Sequence, residues 1–139
     1  MAIKQLNPYL SLNGTADKAI KHYERALDAK LETAQRFGEV PGMKVAPEHK
    51  DRVMHAVLRI GNGVLMLSDT MPDQPAQPGG SASVVLDFDD PNELTRRFDA
   101  LAAGGKVTMP VADTFWGAKF GMLTDAYGVQ WMFNCTLRK

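Results

Sequence analysis

The alternation of apolar and polar residues predicts that the first half of the chain is one strand, a helix and three further strands. The helix is indicated by an apolar stripe of Ile20, Tyr23 and Leu27. The strands are predicted at 9–12, 31–37, 53–60 and 64–68. The last two form a hairpin around Gly61-Asn62-Gly63, while 38–52 has no clear period and is predicted to be a long mobile loop.

The second half shows the same succession of patterns. Its strands are predicted at 83–88, 107–109, 120–124 and 129–134. The helix between the first two has Pro91 in its first turn, buries Leu94, Phe98 and Leu101, and stops at Gly104-Gly105. Each half is therefore predicted to be a β-α-β-β-β module.

The two modules also repeat each other residue by residue. Segment 63–69 aligns with 128–134 at a shift of 65 residues, and the same shift places Leu58 on Leu123. A unit of about 65 residues buries too little surface to be stable alone, so the modules should form one domain. We expect module one at about 1–70 and module two at about 82–139, joined by a Pro- and Gly-rich linker at about 70–81.

The composition limits the partners and the cellular compartment that can be expected for this chain. The chain has 139 residues, of which 45% are hydrophobic, enough for a real core, and 16 basic side chains balance 16 acidic ones. Without a basic cluster, a nucleic-acid partner is not expected. No apolar run approaches the roughly 20 residues of a membrane span, and the N-terminus lacks a signal-like apolar region. Cys135 is the single cysteine, and we interpret it as inert. Because one cysteine allows no internal disulfide, a cytoplasmic protein is predicted.

Particular stretches resemble a known family. They are Asn-Pro-Tyr-Leu-Ser-Leu-Asn-Gly at 7–14, Met54-His55-Ala56, Asp-Thr-Phe-Trp-Gly at 113–117, and the long run 120–135. These resemble the vicinal oxygen chelate superfamily (glyoxalase, bleomycin resistance protein and dioxygenase fold), and within it the PhnB-like group. The resemblance implies an α+β fold. Two βαβββ modules would form a curved, partly closed mixed sheet around a cavity, with helices outside, commonly as a homodimer.

The resemblance also implies where a metal would lie. Relatives of the glyoxalase I type hold a divalent ion with one side chain on the first and last strand of each module. The repeat places Asn7, Leu67, Ser83 and Met132 at those positions. Since these residues offer neither an anion nor an imidazole, we predict no metal there and no cofactor.

A second polar set lies toward the strand ends. Alternation places Ser11, Asp69, Asp87 and Asn134 on the predicted cavity face. Asp69 and Asp87 are therefore candidate catalytic carboxylates or ligands of a displaced metal, with solvated rim residues as the alternative.

His55 is the third candidate for catalysis. If the hairpin pairs Ala56 with Leu67 on the cavity face, His55 points to the helix-packed side. We therefore interpret it as a structural histidine, with a catalytic base as the alternative.

Five residues are predicted to contact a ligand. They are Tyr9, Leu67, Met132, Phe115 and Trp116. For Trp116 two interpretations stay open, a ring wedged into the core or one at the cavity mouth. Trp131 alternates away from Met132 and should pack beneath the second helix.

Two classes of function are compatible with these features. One is a metal-independent protein that binds an unknown small molecule in a largely apolar cavity. The other is an enzyme that acts on a small polar substrate through a displaced metal or a carboxylate.

Overall fold

The computed structural model describes residues 2–77 and 81–137, and across these residues it contains eight strands and two α-helices. The chain divides into two compact units, Met1–Gln77 and Pro78–Lys139. Of the predicted linker, 78–80 lie outside the described residues, as do the last two residues of the second module. Within the described ranges, neither helix has the length and apolar character that a membrane span requires.

The first unit is a four-stranded mixed sheet with one helix. Its elements are β1 (Tyr9–Leu12), α1 (Ala16–Leu27), β2 (Lys30–Arg36), β3 (Val53–Ile60) and β4 (Gly63–Asp69). The strand order is β1-β4-β3-β2, with β1 parallel to β4 and the other pairs antiparallel. A parallel neighbour for β1 requires a crossover, which the intervening helix and strands supply.

The second unit has the same construction. Its elements are β5 (Val84–Phe88), α2 (Pro91–Ala102), β6 (Lys106–Asp113), β7 (Ala118–Thr124) and β8 (Gln130–Thr136). The order β5-β8-β7-β6, with β5 parallel to β8, matches that of the first unit. The predicted α+β class and the duplicated βαβββ module are confirmed, and β6 is longer than the short strand expected.

The start of α1 is stabilised from outside the helix. Thr15 makes no side-chain cap bond; instead Asp69, at the end of β4, accepts a hydrogen bond from the backbone N–H of Ala16 at 3.0 Å. A carboxylate at this position satisfies an otherwise unpaired donor and interacts favourably with the helix dipole. The helix then buries the predicted stripe, including Ile20 and Tyr23.

The start of α2 carries its own cap. The Asp90 side chain accepts from the backbone N–H of Asn92 at 2.9 Å, and Pro91 follows in the first turn. The predicted residues Leu94, Phe98 and Leu101 are buried.

The segment that follows β2 is tied at its base. Arg36 donates to both carboxylate oxygens of Asp17, at 2.8 and 2.9 Å, and to the carbonyl of Asp51 at 2.6 Å. The hydrogen bond to Asp17 is the main reason that the pKa of Arg36 is raised above its ordinary value. Short 3-10 turns lie at Phe37–Glu39 and Pro47–His49. The predicted mobility of 38–52 stays a prediction.

The hairpins of the two units differ by one residue. In the first, Ile60 pairs with Gly63, which leaves a two-residue turn. In the second, the backbone N–H of Asp125 donates to the carbonyl of Val129 at 2.8 Å, so three residues, 126–128, form the turn. The Asp125 carboxylate holds this wider turn by accepting from the backbone N–H groups of Tyr127 and Val129, at 2.8 and 3.0 Å.

Because of this extra residue, the shift of 65 residues applies to β3 and β7 but not to β4 and β8. Leu58 and Leu123 are both buried, but their partners are Leu65 and Trp131, which are 66 residues apart. A displacement of one residue moves a side chain to the other face of a sheet. The alignment of Leu67 with Met132 is therefore wrong, because Leu67 corresponds to Phe133.

Each sheet has one side packed against its helix, which we call the covered face, and an opposite open face. On β4, Asp69 contacts the start of α1 and shares its side with Leu65 and Leu67, so this side is covered. On β8, the ring of Phe133 packs edge-on against Phe98 of α2 at 5.1 Å. Trp131 lies on the same side of β8 and is buried, as predicted.

Close approach of α2 to its sheet depends on Gly121. This glycine pairs with Phe133, and a Cβ built there would lie 2.8 Å from Val111 Cγ2 and 3.0 Å from Phe98 Cε2. The first unit has a similarly small residue, Ala56, at the matching position of its covered face. Small side chains at these two points let the helices lie close to the strands.

We predict that Gly121→Ala lowers the free energy of unfolding by about 1–3 kcal/mol, because the methyl group overpacks the contact with α2. Gly63→Ala is the matched control, since its Cβ would meet only the Ile60 carbonyl oxygen at 3.5 Å. Urea unfolding of both variants checks this. A loss at Gly63→Ala equal to that at Gly121→Ala would contradict the packing argument.

Candidate functional site

The open face of the first unit carries a tyrosine and a histidine that are hydrogen-bonded to each other. Tyr9 Oη and His55 Nδ1 are 3.2 Å apart, with ring centroids 5.7 Å apart. Tyr9 lies on β1 and His55 on β3, so the pair reaches across β4, the strand between them. The predicted placement of His55 on the helix-packed side is wrong. Ala56 does pair with Leu67, but that pair belongs to the covered face.

The pairing register arranges this open face in two rows across the strands. The first row follows the pairs of Met66 and runs through Tyr9, Met66, Val57 and Thr33. The second row, one step along each strand, runs through Ser11, Ser68, His55 and Gln35. We call the second set the polar row.

Asp69 and Leu67 lie on the covered face, contrary to prediction. Leu67 is fully buried, and Asp69 is 5% exposed. The Asp69 carboxylate accepts from Ala16 N through Oδ1 and from Val53 N through Oδ2, both at 3.0 Å. With both oxygens bonded to buried backbone donors, Asp69 joins α1 and β3 to the end of β4. This role excludes it from the predicted rim of carboxylates.

The open face of the second unit is more apolar. The row that follows the pairs of Met132 runs through Val85, Met132, Met122 and Met109, and we call it the methionine row. Met132 lies on the side opposite Trp131 and Phe133, as predicted. Sequence reasoning missed Met122 and Met109. Their places depend on the pairing of β7 with both neighbours, which only a correct register for the second hairpin would have given.

Asp87 and Asn134 lie on the same open face, one step along the strands. They are register partners, and Asn134 Nδ2 donates to Asp87 Oδ1 at 3.1 Å. Asp87 is exposed, so its other oxygen is accessible. Of the four predicted rim residues, the structure brings these two together. Ser11 lies in the polar row of the first unit, and Asp69 is on a covered face.

An aromatic loop lies next to the row of Asp87 and Asn134, because Trp116 contacts Phe120, the register partner of Asn134. It connects β6 to β7 and is closed by Thr114, whose N–H donates to the Ala118 carbonyl at 2.7 Å and whose Oγ1 accepts from the Ala118 N–H at 3.1 Å. Phe115 is 97% exposed and Trp116 is 55% exposed. The Trp116 ring packs edge-on against Phe115 at 5.0 Å and against Phe120 at 6.0 Å. This exposure agrees with an accessible Trp116 ring rather than with one wedged into the core. Its role in binding stays a prediction.

The four positions implied for a metal do not fit a divalent ion. Leu67 is buried on the covered face and has no donor atom. Asn7 Oδ1 accepts from Gln5 Nε2 at 2.6 Å, and Ser83 Oγ lies 3.3 Å from Gln130 Oε1. Met66, the open-face neighbour of Leu67, would add a thioether but no anion. Among the residues that the structure describes, no three His, Cys, Asp or Glu side chains are grouped so as to hold a metal.

Comparison with known proteins agrees with this architecture. The sequence model of the Glyoxalase/Bleomycin resistance protein/Dioxygenase superfamily matches residues 5–133. Protein YjdN of Escherichia coli is 39% identical over 140 residues, covering 93% of each chain. Protein PA1353 of Pseudomonas aeruginosa superposes with a TM-score of 0.88 at 42% identity, covering 98% of this chain and 100% of that one. A PhnB protein from Bacillus cereus superposes with a TM-score of 0.77 at 23% identity, covering 96% and 100%.

We predict that Asp69→Asn lowers the free energy of unfolding by about 1–3 kcal/mol, because an amide can accept only one of the two backbone hydrogen bonds. Asp87→Asn, the same substitution at an exposed carboxylate, should change it by less than about 0.5 kcal/mol. Chemical denaturation of both variants provides the comparison. Equal losses would mean that Asp69 does not have the structural role assigned to it.

Proposed function

The chain belongs to the Glyoxalase/Bleomycin resistance protein/Dioxygenase superfamily, and from this premise we propose that it binds a small molecule on the open face of its second unit without a resident metal. The observation that carries the proposal is the methionine row together with the adjacent row of Asp87, Asn134 and Phe120, which Trp116 contacts. The ligand that this surface recognises would determine the substrate class and any reaction that follows binding.

The chemistry of this surface supports binding. Methionine side chains are flexible and polarizable, so three of them in one row can adapt to an apolar ligand. Val85 and Met109, at the two ends of the row, are exposed. Ligand sites are commonly apolar with a few polar groups that set orientation. Here Asp87 and Asn134 would supply those groups, one step from Met132.

The proposal that no metal takes part rests on the donor atoms available. The residues at the implied positions supply amide, hydroxyl and thioether groups, and a hard divalent ion would lack charge compensation there. Apolar contact and hydrogen bonds would then account for the whole affinity.

A second candidate function is favoured by Asp87. An exposed carboxylate with one oxygen fixed by Asn134 has the other free to accept a proton from a small polar substrate. In this alternative the methionine row would hold the apolar part of that substrate.

We also propose that the protein is a cytoplasmic homodimer. The edge strands β2 and β6 carry the exposed apolar residues Leu31 and Val107, which side-chain contact with a second copy would cover. Pro110 and the irregular register of β6 disfavour simple pairing of two such edges. The single cysteine fits a reducing compartment.

The dye anilinonaphthalene sulfonate, which binds apolar surface, tests the proposed site. We predict that Trp116→Ala weakens dye binding about tenfold, or 1.4 kcal/mol, because it removes the large exposed ring that contacts Phe120 on this open face. The same variant should lose no more than about 1–2 kcal/mol of unfolding free energy, since Trp116 is more than half exposed. Fluorescence titration and denaturant unfolding give the two values.

Leu31→Ala is the control, because it shortens an exposed apolar side chain in the other unit and should leave dye affinity unchanged. Addition of a chelator should also have no effect. A stability loss of about 3–5 kcal/mol would make Trp116 a core residue. Unchanged dye affinity in Trp116→Ala, or binding abolished by the chelator, would contradict the proposal.

A further inference from the structure

The open face of the first unit has different chemistry from that of the second. Where the second unit presents the methionine row, the first presents Tyr9, Met66 and Val57, and the neighbouring polar row carries two hydroxyls, an imidazole and an amide. The end of the sheet that holds the polar row lies at the carboxyl ends of the parallel strands β1 and β4. The polar row thus lies at one end of this face, with Met66 and Val57 in the row beside it.

The hydrogen bond between Tyr9 and His55 is accessible rather than buried. Tyr9 is 50% exposed and His55 is partly exposed. Water could satisfy both groups equally well, so the bond contributes little to stability. It brings two polar rings, from strands on either side of β4, within hydrogen-bond distance of each other.

This arrangement presents the same pair of functions in either tautomer of the histidine. If Tyr9 donates to Nδ1, the imidazole presents an Nε2–H donor and the tyrosine oxygen remains an acceptor. If Nδ1–H donates to the tyrosine oxygen, the phenol presents an O–H donor and Nε2 becomes the acceptor. In both cases the pair offers one donor and one acceptor to a ligand.

The charged side chains on this face argue against a site that strongly prefers an ionic ligand. Arg59 and Glu32, which the strands place toward the other end, are paired with each other at 2.7 Å. The phenol of Tyr9, the imidazole of His55 and the hydroxyls of Ser11 and Ser68 offer hydrogen-bond donors and acceptors rather than fixed charges. Lys30, the register partner of Arg59, is likewise paired with Asp28 at 3.0 Å, so a charged ligand would find these charges already paired.

We propose that the Tyr9–His55 pair is a recognition site for a neutral group with an adjacent donor and acceptor, such as a carboxamide or lactam, whose apolar body lies over Met66 and Val57. This inference rests on the proposal that the protein binds small molecules, and adds the chemical class of ligand and the residues that select it. Met66 pairs directly with Tyr9 and Val57 with Met66, so the apolar floor begins beside the polar pair.

Three probes of one shape and different charge test this assignment. They are benzamide, benzoate and benzylamine, which are neutral, anionic and cationic near neutral pH, and their binding is followed through the imidazole proton resonances. Benzamide should shift the His55 resonance saturably and bind at least about fivefold more tightly than either charged probe. The resonances of His22 and His49, which lie on α1 and in a 3-10 turn, report nonspecific effects within the same spectrum.

Tyr9→Phe keeps the ring and removes the hydroxyl, and should weaken benzamide binding about fivefold or more. Thr33→Val is the matched control. It removes a hydroxyl from the same row of the open face, on the edge strand, and should leave the affinity within about twofold. Unchanged denaturant midpoints would show that both variants fold.

The inference is overturned if benzoate or benzylamine binds more tightly than benzamide, if Tyr9→Phe binds benzamide normally, or if no probe shifts His55. If no probe shifts the His55 resonance while the protein still binds the dye near Trp116, this inference is overturned and the proposed site in the second unit is not. Loss of the dye response with His55 still responding would count against the proposed site in the second unit instead.

Discussion

The alternation of side chains across a β-strand is the constraint on which the rest of this structure depends. With a helix packed on one side of each sheet, every strand residue lies either on a covered face or on an open face, and the pairing register decides which. Leu67 and Met66 are neighbours in the sequence, yet one is fully buried and the other is available to a ligand. Every assignment of a binding residue follows from that division.

Two buried carboxylates maintain the register, and they do so differently in the two units. Asp69 accepts from Ala16 and Val53, and so fixes the end of β4 against the start of α1. Asp125 accepts from two backbone N–H groups of the wider hairpin and from Trp131 Nε1 at 2.9 Å. Each is stabilised by satisfying donors that burial would otherwise leave unpaired. Neither is free for chemistry, and the accessible carboxylate on the open face of the second unit is Asp87.

Periodicity alone predicted the helices, the strand positions and the duplicated order, because each depends only on the local pattern of apolar and polar residues. The faces were harder to predict, since the alternation Leu65-Met66-Leu67 fits either orientation until the helix is placed. The one-residue difference between the hairpins went unnoticed, so Leu67 was aligned with Met132, although Leu67 lies on a covered face and Met132 on an open one. Tyr9, Met132 and Trp116 were nevertheless predicted on accessible surface. Asp69 and Leu67 were not, and His55 was assigned to the wrong face for the same reason.

Thiol labelling of single cysteine substitutions tests this division of faces most directly. The native Cys135 is buried, so it should react slowly and contribute only a low background rate of labelling. Met66→Cys and Met132→Cys should react with a maleimide at least about tenfold faster than Leu67→Cys and Phe133→Cys, because only the first two lie on open faces. Equal rates within each neighbouring pair, or faster labelling at Leu67→Cys than at Met66→Cys, would contradict the account.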